Sequence, residues 1–201
     1  NKRAKYDKET VHGILDAMPI CSVGYVFKGT PYVTPTLQWR EDDHIYWHGS
    51  SASRMLETCV DADVCITVTI IDGMVMARAA FHHSCNYRSV MVMGKARIIS
   101  DPAEKGRRLK SFTEKLFPGR WDILRPVTAQ ELKATKMLSL SLDEASAKVR
   151  TGPPGDDEED YALPIWAGLI PMRTEILAPT PDARNLPGLL PPDHVKSFKI
   201  G

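Results

Sequence analysis

The spacing of apolar side chains changes period along this chain. Val11, Ile14, Leu15 and Met18 recur at helical intervals, which predicts an amphipathic helix over 7–17, stopped by Pro19. From Cys21 the period becomes two. Cys21, Val23, Tyr25 and Phe27 alternate with smaller or polar residues, and Lys28-Gly29-Thr30-Pro31 supplies a turn. Further strands are expected over 32–39, 44–48, 64–71, 74–81 and 88–100, all rich in β-branched and aromatic residues. Asp72-Gly73 between two of them reads as a hairpin turn. Helical spacing returns over 102–117, ended by Pro118-Gly119, and Thr128-Ala129-Gln130-Glu131 is a capping-box sequence. Alternation resumes over 137–142, and 163–172 reads as a last strand. Many short, closely spaced strands point to an antiparallel barrel or sandwich rather than a parallel α/β sheet.

The segment 151–160 is an acidic Pro/Gly loop, and the chain from Pro179 onward is rich in proline. The expected organisation is one domain over 1–178 and a Pro-rich tail over 179–201 that wraps loosely on the body or a partner.

Composition narrows the function classes. The 201 residues are 43% hydrophobic and 25% charged with a formal net charge of +1, so no excess of charge calls for nucleic acid or an anionic membrane. No apolar run has the length of a membrane span. The start Asn1-Lys2-Arg3-Ala4-Lys5 has no apolar stretch of the signal-peptide kind, and the four cysteines form no CxxC pair. Reduced thiols in a cytoplasmic protein are the expectation.

Four segments could carry chemistry. In His48-Gly49-Ser50-Ser51-Ala52-Ser53-Arg54 a strand gives way to a helix, and the serine hydroxyls, backbone N–H groups and the Arg54 fork suit a phosphate. The plain alternative is a serine cap beside a solvated arginine. The run from Phe81 to Ser89 (FHHSCNYRS) is polar between two apolar strands, so its groups must be paired or face a ligand. His83 and Cys85 would share one face of an extended run and could bind metal, but nothing like CxxC or HExxH completes a site. A structural pair formed by His82 and His83, or a polar cluster facing a ligand, accounts for the run better. In Thr34-Pro35-Thr36-Leu37 the proline lies inside a strand, which marks an edge, a bulge, or backbone turned toward something else. Lys148 and Arg150 alternate as on a strand, suiting a second anionic contact, and Trp166 could stack on an aromatic ligand.

Taken in order, these segments resemble the flavin-nucleotide-binding branch of the pyridoxamine-phosphate-oxidase-like superfamily, a branch also similar to nitroimidazole-resistance proteins. The similarity runs from Tyr6 to Met172. It rests on His48-Gly49-Ser50 with Ser53-Arg54-Met55, on 72–78 (DGMVMAR), on 81–90 (FHHSCNYRSV), on Pro118-Gly119-Arg120-Trp121, on 146–154 and on Trp166-Ala167-Gly168. The resemblance implies a mainly β fold, a six-stranded antiparallel split β-barrel with peripheral helices, that dimerises and holds FMN, or alternatively FAD, between subunits. Carried over by position, Pro35, Thr36 and Leu37 would run along the isoalloxazine ring. His48, Ser50, Ser53 and Arg54 would gather near the phosphate and ribityl chain. His82, Asn86, Tyr87 and Arg88 would lie beside the flavin, with Lys148 and Arg150 nearby and Trp166 contributed by the other subunit. The histidine implicated in the activity of nitroimidazole-resistance relatives would correspond to His83, with His82 as the alternative.

Two departures qualify the resemblance. Pyridoxamine phosphate oxidases proper place an arginine and a lysine where this chain has Thr34 and Trp39, so Arg54 must meet the phosphate charge here. Their C-terminal Arg-x-His becomes Arg173-Thr174-Glu175, which points away from the vitamin phosphate as substrate. The expected function is a flavin-dependent oxidoreductase with a small-molecule electron acceptor such as a nitro compound or quinone. The rivals are a flavin storage or sensor module without turnover and a barrel that holds haem through His82 or His83.

Overall fold

The computed structural model describes residues 4–201; the basic start 1–3 lies outside them. Strand β1 (Ala4–Lys5) precedes helix α1 (Lys8–Ala17), and β2 (Ile20–Phe27), β3 (Thr30–Glu41) and β4 (His44–Ser50) follow as a meander. After α2 (Arg54–Cys59) come the long strands β5 (Asp63–Met76) and β6 (Ser84–Lys95), then β7 (Arg97–Ile98) and α3 (Pro102–Leu116). Helix α4 (Ala129–Ala134), β8 (Thr135–Ser141) and β9 (Ala145–Arg150) complete the body, and β10 (Gly168–Pro171) and α5 (Asp193–Lys196) lie in the C-terminal extension.

Each strand pairs antiparallel with its neighbours in the order β1-β9-β6-β5-β2-β3-β4-β8-β7, with β10 added to β5. Chain connectivity forces this sheet to close. Strands β6 and β7 stand far apart in the order, yet Ala96 alone separates them in sequence. Strands β8 and β9, near opposite ends of the order, are joined by the short turn 142–144. The result is a curled, barrel-like sheet. Its interior holds the side chains of one strand face: Val23, Ile45, Trp47, Ile66, Val68, Val90, Val92, Leu138 and Leu140 are all buried. The inward face of α1, Val11, Ile14 and Leu15, packs against the same core. That helix starts where the Asp7 carboxylate accepts the Thr10 N–H at 2.8 Å. A second, outer cluster of Trp39, Tyr46 and Met137 is covered by Leu109 and Phe112 of α3.

Two expectations are corrected. Asp72-Gly73 is not a hairpin, because β5 runs straight through it and the pair forms a bulge, where the register to β6 shifts between Ile71 and Gly73. The strand expected over 74–81 therefore does not exist by itself; its first residues extend β5, and the reversal is a 3-10 turn over Ala80–His82. A glycine suits the bulge because β10 crosses it closely: a Cβ on Gly73 would lie 2.8 Å from the Ile170 carbonyl oxygen.

Candidate functional site

Strand β3 explains its own proline. Residues Thr30 to Leu37 pair with β2, with Pro35 opposite Ser22, but β4 joins the other side of β3 only from Gln38 onward. The outer edge beside Thr34, Pro35, Thr36 and Leu37 is thus open, and an edge is where a strand tolerates proline. Beside this half of β3 lies the serine loop. Ser50 Oγ accepts the Ala52 N–H at 3.2 Å, and Ser53 Oγ caps α2 by accepting the Leu56 N–H at 3.4 Å. The Arg54 guanidinium stacks over the rings of Tyr32 (5.0 Å) and Phe27 (5.4 Å). Among the described residues no carboxylate pairs with it. An arginine fixed on aromatic faces with its donors unclaimed is equipped to receive an anion. His48 is placed differently. It points to the outside of the barrel, edge-on to Trp39 (5.6 Å) and Phe112 (4.9 Å), and burial pushes its pKa below the ordinary histidine value.

The second group of residues sits where β6 begins. Asn86 is buried; its amide donates to the Gly152 carbonyl at 3.1 Å while its oxygen accepts from the Arg150 guanidinium. Arg88 grips Asp72 through Nε (3.0 Å) and Nη2 (2.7 Å), and this hydrogen-bonded carboxylate raises its pKa. Tyr87 is half-buried between Ile71 and Arg150 in the register, and Lys148, opposite Ser89, is exposed. At the adjoining turn His82 Nε2 lies 3.4 Å from Asp157, whereas His83 is exposed with Nδ1 3.0 Å from the Ala79 carbonyl. That bond leaves His83 Nε2 facing outward and unengaged. Phe81 beside it is 90% exposed. Among the described residues no group of three or more His, Cys, Asp or Glu could hold a metal ion, so Cys85 gains no partners for the pairing with His83.

A connection absent from the sequence reading ties the extension to this turn. Asp156, its side chain shut off from solvent, accepts from the Arg78 backbone N–H at 2.8 Å and from the Arg78 guanidinium at 3.0 Å. Burial alone would raise its pKa, but these bonds outweigh it and hold the carboxyl below the usual aspartate value. The Arg78 guanidinium also lies 4.9 Å from the centre of the Tyr161 ring. Within TGPPGDDEED nothing distinguished Asp156 from its acidic neighbours, and only the fold selects it. Trp166 remains 66% exposed and folds back over Gly168, where a Cβ would come within 2.9 Å of the indole.

Along β5 the level of Gly24, opposite Cys65 and on the side of Arg54, lies eight residues, about 26 Å, from that of Asn86, opposite Gly73. The 34–37 edge lies nearer in level, since Pro35 is opposite Ser22 and Ser22 opposite Thr67, but strands β2 and β5 stand between it and β6.

Residues 7–149 match the family model described as pyridoxamine 5'-phosphate oxidase, which ends within β9, so nearly all of the extension lies outside it. The structure is similar over 100% of this chain and 94% of the other to the flavocytochrome Anf3 from Azotobacter vinelandii, with 53% identity and a TM-score of 0.96. It is similar at 32% identity and a TM-score of 0.93 to an FAD- and haem-binding protein from Mycobacterium smegmatis, covering 98% of this chain and 97% of that one. A putative 5-nitroimidazole antibiotic resistance protein from Bacteroides thetaiotaomicron shares the fold, at 24% identity and a TM-score of 0.58 over 73% of this chain and 86% of the other. No curated protein matches the chain. The match over residues 7–149, most of the chain, makes this protein a member of the pyridoxamine 5'-phosphate oxidase family.

Proposed function

We propose that this chain is a flavin-binding redox protein whose site is completed by two copies of the chain. The observation that carries the reading is Arg54, a cation held on two aromatic rings, with no acidic partner among the described residues and lying beside an open strand edge. These residues fit a flavin nucleotide. Arg54 with Ser50 and Ser53 would receive the phosphate, and the backbone of Thr34, Pro35, Thr36 and Leu37 would face the ring. Strands β2 and β5, about 14 Å of sheet, stand between the β3 edge and β6, and the level of Asn86 lies about 26 Å along β5 from that of Gly24 beside Arg54. Tyr87, Arg88 and Trp166 would therefore reach the same flavin from the second copy of a two-fold dimer. FMN would need no more than this cradle, and FAD would need room beyond the phosphate end. When bound, a flavin supplies hydride and electron transfer, and the protein contributes orientation and polarity. His83, exposed and with Nε2 unengaged, would donate a proton to a small acceptor such as a quinone or nitro compound. The free cysteines suit a reducing compartment such as the cytoplasm.

A second reading adds haem. Its support is again His83: an imidazole whose Nδ1 meets a backbone carbonyl would be free to hold a haem iron through Nε2. The exposed Phe81 and Trp166 offer apolar surface nearby. Two of the similar structures are described as a flavocytochrome and as an FAD- and haem-binding protein. The test of both readings is the absorption spectrum of the purified protein with the mass of whatever it releases on heating. Flavin bands support the first reading, and a Soret band that His83→Gln abolishes while the flavin bands persist supports the second. Colourless protein that takes up neither FMN nor FAD on titration excludes both.

A further inference from the structure

The chain beyond β10 is fastened at both ends and touches its own body little from 173 to 190, while Pro191, Pro192, His194 and Val195 are partly buried. At the start, the Met172 N–H donates to the Asp72 carbonyl at 3.0 Å, continuing the pairing on β5. At the end, the Phe198 ring packs 5.4 Å from Phe117, the Gly201 N–H donates to the Ala17 carbonyl at 2.8 Å, and Gly201 lies beside Thr174. Its two ends therefore meet. Between them every residue from 173 to 190 is exposed.

A loop of this length without strand structure is unusual unless it serves a purpose, and its composition does not suit a solvated linker. Leu177, Leu186, Leu189 and Leu190 are 76%, 74%, 61% and 83% exposed. Proline recurs at 179, 181, 187, 191 and 192, which restricts the backbone and lowers the entropy lost when the segment is laid on a surface. The turns 182–185 and 186–189 are closed by backbone hydrogen bonds of 3.0 and 3.3 Å, so the segment has a shape of its own. It also has no net charge: Arg173, Arg184 and Lys196 balance Glu175, Asp182 and Asp193. That balance disfavours an anionic membrane or nucleic acid as the surface it covers.

The chain carries a bare surface of matching chemistry. On the outer faces of β2, β5 and β6, Ile20, Ile71, Met74, Met91 and Met93 are 41–52% exposed. This face is continuous with the root of the loop, because β10 pairs with β5 from Gly73 to Met76. The 25 residues between Met172 and Phe198 reach out about 40 Å before returning. We infer that residues 173–197 form an arm that clasps a second copy of this chain, its leucines covering the outer β5–β6 face of that copy. The inference rests on the proposed dimer, and two-fold symmetry makes the exchange of arms reciprocal.

The experiment uses full-length protein and a variant in which 176–197 is replaced by a short Gly-Ser linker, which the meeting of Thr174 with Gly201 allows. Sedimentation equilibrium should show the full chain as a dimer and the excised chain with a dissociation constant raised on the order of a hundredfold. A photo-crosslinking residue at position 190 is then placed in dimers reassembled from light and 15N-labelled chains. Crosslinks from the arm to β5 or β6 peptides should join light to heavy peptides, and these linkages hold whether or not the excised variant folds. A full chain that sediments as a monomer overturns the dimer reading. A dimer whose arm crosslinks only peptides of its own label, or whose affinity is unchanged by excision, overturns the arm alone. Crosslinks that appear only to added vesicles or to an unrelated protein also overturn it.

Discussion

The barrel and the C-terminal extension are two answers to the same problem of where apolar side chains go. In the barrel, each strand alternates, one face is buried, and the core is complete without any other molecule: Val23, Trp47, Ile66, Val92 and Leu138 have no exposed area. Beyond Ala147 no apolar residue is buried, although the extension carries leucine, isoleucine and tryptophan in number. Its apolar residues follow no period, so no single face can fold inward. The extension is held instead by β10, by the Asp156–Arg78 pair and by its last residues. The difference teaches that the barrel specifies itself, whereas the extension specifies a relation to something else.

The largest expected effect tests the first half of that contrast. Ile66→Ala empties space at the centre of the core and should lower unfolding free energy by about 2–5 kcal/mol. Leu190→Ala, measured by urea unfolding at dilutions where the chain is monomeric, should change it by less than about 0.5 kcal/mol. Comparable losses would mean that the extension belongs to the barrel's cooperative unit.

Next in size is ligand binding, which divides the barrel's own two polar groups. Arg54→Ala should weaken FMN roughly tenfold to a hundredfold, as loss of a charge-assisted hydrogen bond does, while riboflavin loses little. Calorimetric titration of both ligands decides the matter. Equal losses would assign Arg54 to the support of Phe27 and Tyr32 rather than to a phosphate.

A smaller effect is expected at the latch between the two regions. Asp156→Ala should raise the protease sensitivity of the 151–162 segment about tenfold at neutral pH, since cleavage tracks the open population. In the unaltered chain the Asp156 carboxyl has a folded-state pKa below its unfolded value, so the latch is complete above about pH 4 and is lost as pH falls through the depressed pKa. Hydrogen exchange of the segment at pH 7 and pH 3 reads this directly. Protection that does not change with pH would show that β10 and Tyr161 hold the segment without the ion pair.

The legible part of the fold was the part with a period. Strands β2, β3, β4 and β8 and helices α1 and α3 follow from apolar spacing, and Pro35 marked an edge, a bulge or a turned backbone, of which the structure has the edge, because proline removes a ladder donor. Asp72-Gly73 misled for a physical reason: the same residues that make a tight turn also make a bulge, and which one forms depends on the partner strands. The candidate residues of the site were recognisable by type, but their grouping was not. The pairing of Arg88 with Asp72 and of Asn86 with Arg150 joins positions distant in sequence through the register of β5, β6 and β9. Arg54 could be read as a phosphate ligand from its serines. That it stands on Tyr32 and Phe27, across a strand turn, required the fold.

The smallest expected effect concerns His48, whose neighbours make the barrel's outer layer as dry as the extension is wet. Its ring lies against Trp39 and Phe112, its Nδ1 is buried without a hydrogen-bond partner, and burial lowers its pKa. A histidine of this kind is more easily protonated in the unfolded chain, where its pKa is about 6.5. Its stabilising state is therefore complete above that value and is lost as pH falls through the depressed folded-state pKa, with a slope of at most about 1.4 kcal/mol per pH unit. His48→Phe keeps a planar ring against the same two aromatics and removes both the titration and the orphaned nitrogen. Urea unfolding of the two proteins at pH 7.5, 6.5, 5.5 and 5.0 should give nearly equal stabilities at the top of the range and a growing advantage for the phenylalanine variant below it. Subtracting the two curves cancels the titration of the other histidines. A flat difference would show that His48 charges as readily in the folded chain as in the unfolded one, and so that the layer beneath α3 admits water. If His48→Phe instead leaves stability alone and weakens FMN as much as Arg54→Ala does, then His48 serves the cradle as the family resemblance places it, and the dry outer layer and the ligand site are one region rather than two.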